Sequence, residues 1–221
     1  MIEFVKPEEI EARSFEIISQ ELETQKICLA ADNKDVIMRV IHTTADFDFA
    51  RTLKFSPDAV ARARALIKDG AHIVTDTNMA KAGINKRKLE AFGGQVHCFM
   101  AEEDVAAEAK ERGLTRAAVS MERAAALGKK VIFALGNAPT ALISLHEMIK
   151  CGKYRPDFVI GVPVGFVNVV AAKELFLGGD VPYIINQGRK GGSTVAAAIC
   201  NALLYGIEAG VRGTVSSEAM R

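Results

Sequence analysis

The stretch Val131-Ile132-Phe133-Ala134-Leu135-Gly136-Asn137-Ala138-Pro139-Thr140 reads as a short apolar run, a turn of small residues and the start of a helix. A run this short and this apolar, broken by Gly-Asn, fits a strand buried on both faces. The pattern recurs along the second part of the chain. Ala71–Thr75, Gln95–Phe99, Phe158–Val162 and Tyr183–Ile185 are further apolar runs, and helical patterns fall at roughly 79–90, 103–127, 138–151, 166–177 and 193–209. Strands alternating with helices predict βαβ units and a parallel sheet covered on both faces. Upstream lie three more helical patterns. The first begins near Pro7, which fits an early position of a helix, where a missing N–H leaves nothing unsatisfied, and runs to about Glu23. The second is capped by Asp32 or Asn33 and turns Val36, Ile37, Val40 and Ile41 inward. The third runs from Ser56-Pro57-Asp58 to Asp69-Gly70. The expected architecture is therefore α/β, with a five-stranded, mostly parallel sheet and extra N-terminal helices. No repeat, low-complexity tract or Pro/Gly/Ser linker divides it, so one domain is expected over residues 1–210, followed by a small, polar tail at 211–221.

Composition narrows the function. The chain has 221 residues, 49% hydrophobic and 25% charged, with a net charge of +1, which is ordinary for a soluble globular protein and does not suggest nucleic-acid or membrane-surface binding. The acidic stretch Met1 to Glu11 does not read as a signal peptide, and no apolar run approaches the ~20 residues that span a bilayer. Cys28, Cys98, Cys151 and Cys200 are scattered without CxxC spacing, and read as buried thiols of a reducing compartment rather than a disulfide or zinc framework. A cytoplasmic protein is expected.

In open parallel sheets, ligands bind beyond the carboxyl ends of the strands. Those ends carry Asp76-Thr77-Asn78, Gly136 to Thr140, Pro163 to Phe166 and Asn186 to Thr194. They are glycines, small polar residues and cations, and three of the loops run straight into helices, whose free N–H groups attract anions. A platform for carboxylates or phosphates is the expectation. The loop 188–194 lacks the Gly-Lys-Ser/Thr ending of a Walker A loop, and Gly161-Val162-Pro163-Val164-Gly165 is no dinucleotide fingerprint. The run Arg39-Val40-Ile41-His42-Thr43-Thr44-Ala45-Asp46-Phe47-Asp48 adds an imidazole able to exchange protons near neutral pH, with Arg39 and Thr43 one helical turn apart beside it. His42 equally suits a solvated surface position. With Asp46 and Asp48 it lacks the further histidine or cysteine that a metal site would need, so no metal is expected. His72 and His97 sit in apolar strands and read as core histidines, and His146 as core or interface. Arg13 and Arg116 taken alone are ordinary surface charges.

Together these pieces resemble the precorrin-8X methylmutase (precorrin isomerase) family of cobalamin biosynthesis. The resemblance is carried by Arg13-Ser14-Phe15, Arg39 to Asp48, Phe55-Ser56-Pro57, Gly136 to Leu142, Gly161 to Val167 and Gly188 to Ser193, in order along residues 11–204. It implies a three-layer flavodoxin-like fold, a homodimer with active sites near the subunit interface, and no cofactor. It implies as substrate a tetrapyrrole, precorrin-8X or cobalt-precorrin-8, whose methyl group migrates from carbon eleven to carbon twelve to give hydrogenobyrinic acid or its cobalt-containing counterpart. By the same resemblance His42 is the catalytic proton donor and acceptor, and Ser14 and Arg39 bind substrate. Family motif and strand-end position together add Arg116, Asn137, Arg189 and Ser193 as substrate-binding residues. The physical chemistry is compatible, since a macrocycle bearing many carboxylates needs arginines and helix N-termini. A non-catalytic corrinoid carrier with the same pocket is the alternative.

Overall fold

A computed structural model describes the backbone of residues 4–215 and the side chains as far as residue 207. Its centre is a six-stranded sheet of β1 (Leu53–Phe55), β2 (His72–Thr75), β3 (Val96–His97), β4 (Val131–Leu135), β5 (Phe158–Gly161) and β6 (Tyr183–Asn186), in the order β1-β6-β5-β4-β2-β3. The five strands from β2 to β6 are parallel, and β1 runs antiparallel to β6. The expected count of five strands is thus corrected to six. Leu53-Lys54-Phe55 is too short, and its central lysine too polar, to show as a strand in the sequence, but a sheet edge suits both features.

Alternation along the strands divides the core into two layers. Ile73, Ile132, Ala134, Phe158, Ile160 and Ile184 face one cluster with α2 (Lys34–Thr44), α4 (Ala59–Lys68) and α11 (Ser193–Val215). Val74, Val131, Phe133, Leu135, Val159 and Ile185 face the other, with α8 (Arg116–Ala125) and α9 (Pro139–Lys150). In β4, β5 and β6 both faces are buried, so apolar residues are needed at nearly every position, which is why these runs read as continuous rather than alternating. The order reverses between β2 and β4, so their carboxyl ends border a crevice.

Several helices are shorter than their sequence patterns. The pattern at 79–90 is two helices, α5 (Asn78–Gly83) and α6 (Lys86–Glu90), because Ile84 is extended and the Asn85 side chain accepts from the Lys88 amide to start afresh. The pattern at 103–127 divides into α7 (Glu103–Glu111) and α8. Gly113, at φ +63°, turns the chain out, and Thr115 caps the new helix by accepting from the Ala118 amide. The pattern at 166–177 narrows to α10 (Val169–Glu174). At the N-terminus, Pro7–Glu9 forms a 3-10 turn leading into α1 (Ile10–Thr24), and a one-turn α3 (Phe49–Thr52), too short to show a helical pattern in sequence, precedes β1. Neither Asp32 nor Asn33 caps α2 with its side chain; a 3-10 turn over Ala31–Asn33 leads into it instead. The tail expected from 211 starts inside α11, and residues 216–221 lie outside the described residues.

Only Cys98 and Cys200 are buried; Cys28 and Cys151 are exposed, correcting the expectation of four buried thiols. Position in the fold decides this: Cys28 follows the end of α1 and Cys151 the end of α9, where turns meet solvent. His72 and His97 are half-buried and satisfy each other, with Nδ1 of one 2.7 Å from Nε2 of the other. Among the described residues no helix is long and apolar enough to cross a membrane.

Candidate active site

His42 occupies the last turn of α2, which closes when Ala45 takes a left-handed conformation and its amide bonds Ile41 O. Val36, Ile37, Val40 and Ile41 bury the opposite face against α11, so the helix turns His42 outward to an exposed position. The imidazole lies against Phe15 of α1, with ring centroids 5.3 Å apart. It lines a cavity of about 300 Å³ with Arg39, Thr43, Met79, Thr194, Asn201 and Tyr205. Arg39 is held between two rings, its guanidinium carbon 4.8 Å from the Phe15 centroid and 5.5 Å from that of Tyr205, and it pairs with the Glu11 carboxylate. Arg39 and Tyr205 also line a second cavity of about 450 Å³ with Phe15, Ser19, Lys34 and Met38, so the two hollows adjoin across them.

The strand-end loops meet beside this cavity, but not all as an open anion platform. Asp76, at the end of β2 and 1% exposed, accepts hydrogen bonds from the amides of Gly136 (2.9 Å), Asn137 (2.7 Å) and Ala138 (2.5 Å). The crevice between β2 and β4 is therefore filled by a carboxylate of the protein itself, and those amides are not free for a substrate. Burial raises the Asp76 carboxyl above its ordinary range while the three amides pull it back. Gly136 packs so closely on the loop before α11 that a Cβ there would lie 2.7 Å from both Gly192 O and Ser193 Cα. Ser193 Oγ is 2.7 Å from Thr77 Oγ1, which also caps α5. What stays open is the first turn of α11, whose exposed Thr194 faces the His42 cavity.

Arg189 is exposed on the loop after β6, with its guanidinium 5.6 Å from the Phe166 ring centroid. Phe166 and Val167 are 83% and 77% exposed, an apolar surface beside a cation. The next residue, Lys190, reaches Asp46 and Asp48 at 2.6 Å each and so joins this loop to the turn following His42. The Lys190 ammonium holds the Asp46 carboxyl below its usual range. The structure thus brings together His42 and Arg39 directly, with the Ser193 and Arg189 loops at their side. Asn137 is exposed, its amide committed to Asp76. Ser14 donates to Ile10 O of its own helix, and Arg116 is exposed at the start of α8; neither lines the cavity.

A family model described as precorrin-8X methylmutase matches residues 9–206. The chain belongs to that family. It is 42% identical to the cobalt-precorrin-8 methylmutase of Priestia megaterium over 94% of this chain and 91% of that one. The cobalt-precorrin-8 methylmutase of Salmonella typhimurium is 44% identical over 90% and 95%, and the precorrin-8X methylmutase of Pseudomonas aeruginosa 39% over 92% and 98%. A crystal structure of precorrin-8X methylmutase from Thermus thermophilus superposes with a TM-score of 0.81 at 37% identity, covering 91% of this chain and 98% of that one.

Against this methylmutase background, four residues have contacts that the sequence pattern does not reveal. Phe15 and Tyr205 read as ordinary apolar helix positions, yet they sandwich Arg39. Asp76 stood among the strand-end residues, but with no hint that it faces inward. Lys173 gave no signal at all, because one lysine in a helix normally faces water. Among the described residues no group of three or more histidines, cysteines and acids is placed to hold a metal ion.

Proposed function

We infer that the protein is an isomerase that moves a methyl group within a precorrin-8 macrocycle, with His42 as general acid. The observation that carries the reading is the exposed imidazole beside the ring-clamped Arg39 at the mouth of a cavity in a member of this family. Arg39 and Arg189 are the cations suited to the macrocycle's carboxylates, and Phe166, Val167 and Met79 supply apolar surface suited to its faces. In this reading His42 delivers a proton to the conjugated system, the methyl group migrates from carbon eleven to carbon twelve, and the proton returns to the imidazole. A positioned acid of this kind contributes ~10²–10⁴-fold. Gripping the carboxylates supplies the orientation. Relatives named for the cobalt-containing and the metal-free substrates match at similar identity, so the substrate is stated as either.

The finer parts of this reading have their own support. The parallel strands run β6-β5-β4-β2-β3, and numbered among themselves from the other edge this is 2-1-3-4-5, the flavodoxin-like order. The exposed apolar loop at 164–167 favours a homodimer that covers it, and Arg116 and Ser14 would complete the substrate-binding set from outside this cavity. A cytoplasmic setting without nucleic-acid partners agrees with the near-neutral charge.

The test is the absorption spectrum of the protein mixed with precorrin-8X and, in parallel, its cobalt form. Catalytic turnover supports the isomerase; a shift that stops at one equivalent of protein identifies a carrier. His42→Ala should abolish conversion and leave tetrapyrrole binding, and unchanged turnover in that variant removes His42 from the mechanism.

A further inference from the structure

Lys173 is a charged side chain with almost no exposure, 1%, and the chemistry described so far does not use it. It sits in α10, beneath the loop joining β6 to α11. Its ammonium donates to Gly188 O and Lys190 O, each at 2.8 Å. A buried ammonium carries a desolvation penalty of several kcal/mol, which two carbonyls offset only in part, so simple packing is poorly served by a lysine here.

The loop it holds needs fastening. Gly188, Gly191 and Gly192 have φ of +77°, +155° and +136°, and a Cβ on Gly191 would lie 2.1 Å from Val162 O. A backbone so rich in glycine has many conformations to lose. Asn186 adds a second tie from below by donating to Lys190 O at 2.8 Å. From the other side the Lys190 ammonium bridges Asp46 and Asp48, the residues that follow the His42 helix. Arg189 projects between these ties.

We propose that Lys173 is a positioning residue for the reaction: from beneath, it fixes the backbone of residues 188–190 so that Arg189 meets the substrate's carboxylates while Lys190 stays joined to the turn behind His42. The inference rests on the methylmutase reading. Ordering of the loop is then complete before substrate arrives. Without Lys173, binding must supply that ordering, and the loss falls on affinity.

The test compares wild type with Lys173→Met, of similar volume and uncharged, using precorrin-8X turnover and amide hydrogen exchange. KM should rise about tenfold or more with kcat within about threefold, as expected when ordering is charged to binding. Exchange should quicken over residues 187–192 and not elsewhere. Lys190→Met, which cuts the tie on the other side, should raise KM as well, and the double variant should fall short of the product of the two effects because both act through one loop. If Lys173→Met does not fold, Lys173→Gln, which keeps an N–H donor, should show the same pattern with a smaller KM change. An unchanged KM in a folded variant overturns the proposal, as does a loss confined to kcat or faster exchange spread over the whole chain. A wild-type protein that turns over neither substrate form removes the methylmutase reading and this inference together; wild-type turnover with indifferent variants removes the inference alone.

Discussion

The Asp76 carboxylate accepts the Asn137 amide at 2.7 Å across the point where the strand order of the sheet reverses. This pairing, with its companions from Gly136 and Ala138, closes the crevice in which an α/β sheet of this kind ordinarily receives a ligand. The candidate site lies instead beside α1, α2 and the first turn of α11, where His42, Arg39 and Thr194 line one cavity.

Asp76→Ala leaves those three amides facing a hole. Each stranded N–H costs about 1–3 kcal/mol, so the variant should lose roughly 3 kcal/mol or more of stability. A denaturant titration measures it. A midpoint equal to wild type would mean that water replaces the carboxylate without penalty.

Phe15 touches both His42 and Arg39, at 5.3 and 4.8 Å between centres. Phe15→Leu keeps an apolar side chain and removes the aromatic face. A lost cation–π contact and a less constrained imidazole should lower kcat/KM about tenfold while the melting temperature moves little. Steady-state kinetics on precorrin-8X decide it; full activity would assign the ring to packing alone.

Arg39→Lys preserves the charge but not the flat guanidinium that fits between Phe15 and Tyr205. KM should increase about tenfold, and kcat should change less, because a point charge cannot stack or make paired bonds to a carboxylate. Arg189→Ala should likewise weaken binding more than chemistry. Titration showing unaltered tetrapyrrole affinity in both variants would rule out carboxylate gripping by these arginines.

Burial draws the pKa of Lys173 down from 10.5 to about 8. Between those two values the unfolded chain keeps a proton that the folded chain has released, so this group makes stability rise with pH across that window and withdraws the gain as pH falls through 8. The difference amounts to on the order of 3 kcal/mol. Wild type should therefore gain stability relative to Lys173→Met between pH 8 and 10.5 in urea melts run at several pH values. Parallel curves would show that the ammonium is not strained by its burial.

The α/β class and the five parallel strands were legible because the central strands β4, β5 and β6 are buried throughout and demand apolar residues at nearly every position. The edge strand at Leu53–Phe55 was not, since its pairing with β6 rests on backbone hydrogen bonds that leave no mark in side-chain pattern. That His42 and Arg39 share one face was legible from their helical spacing, and the structure places both on one cavity. The places of Phe15 and Tyr205 were not legible, because α1 and α11 meet α2 only in three dimensions, and a ring that clamps a cation has the same hydropathy as one that fills a core.

Periodicity and turn chemistry in the chain were enough to specify its alternating strands and helices and its strand-end loops, and a series of ordered motifs carried the resemblance to its family. The folded arrangement alone determined which of those loops are tied to the protein's own groups and which border the His42 cavity. Asp76 and its three amides lie some sixty residues apart, and Lys173 reaches fifteen and seventeen residues ahead. Local pattern records whether a residue prefers water or core. It carries no record of which buried charge will meet which backbone, and here Asp76 meets the loop after β4 and Lys173 the loop after β6.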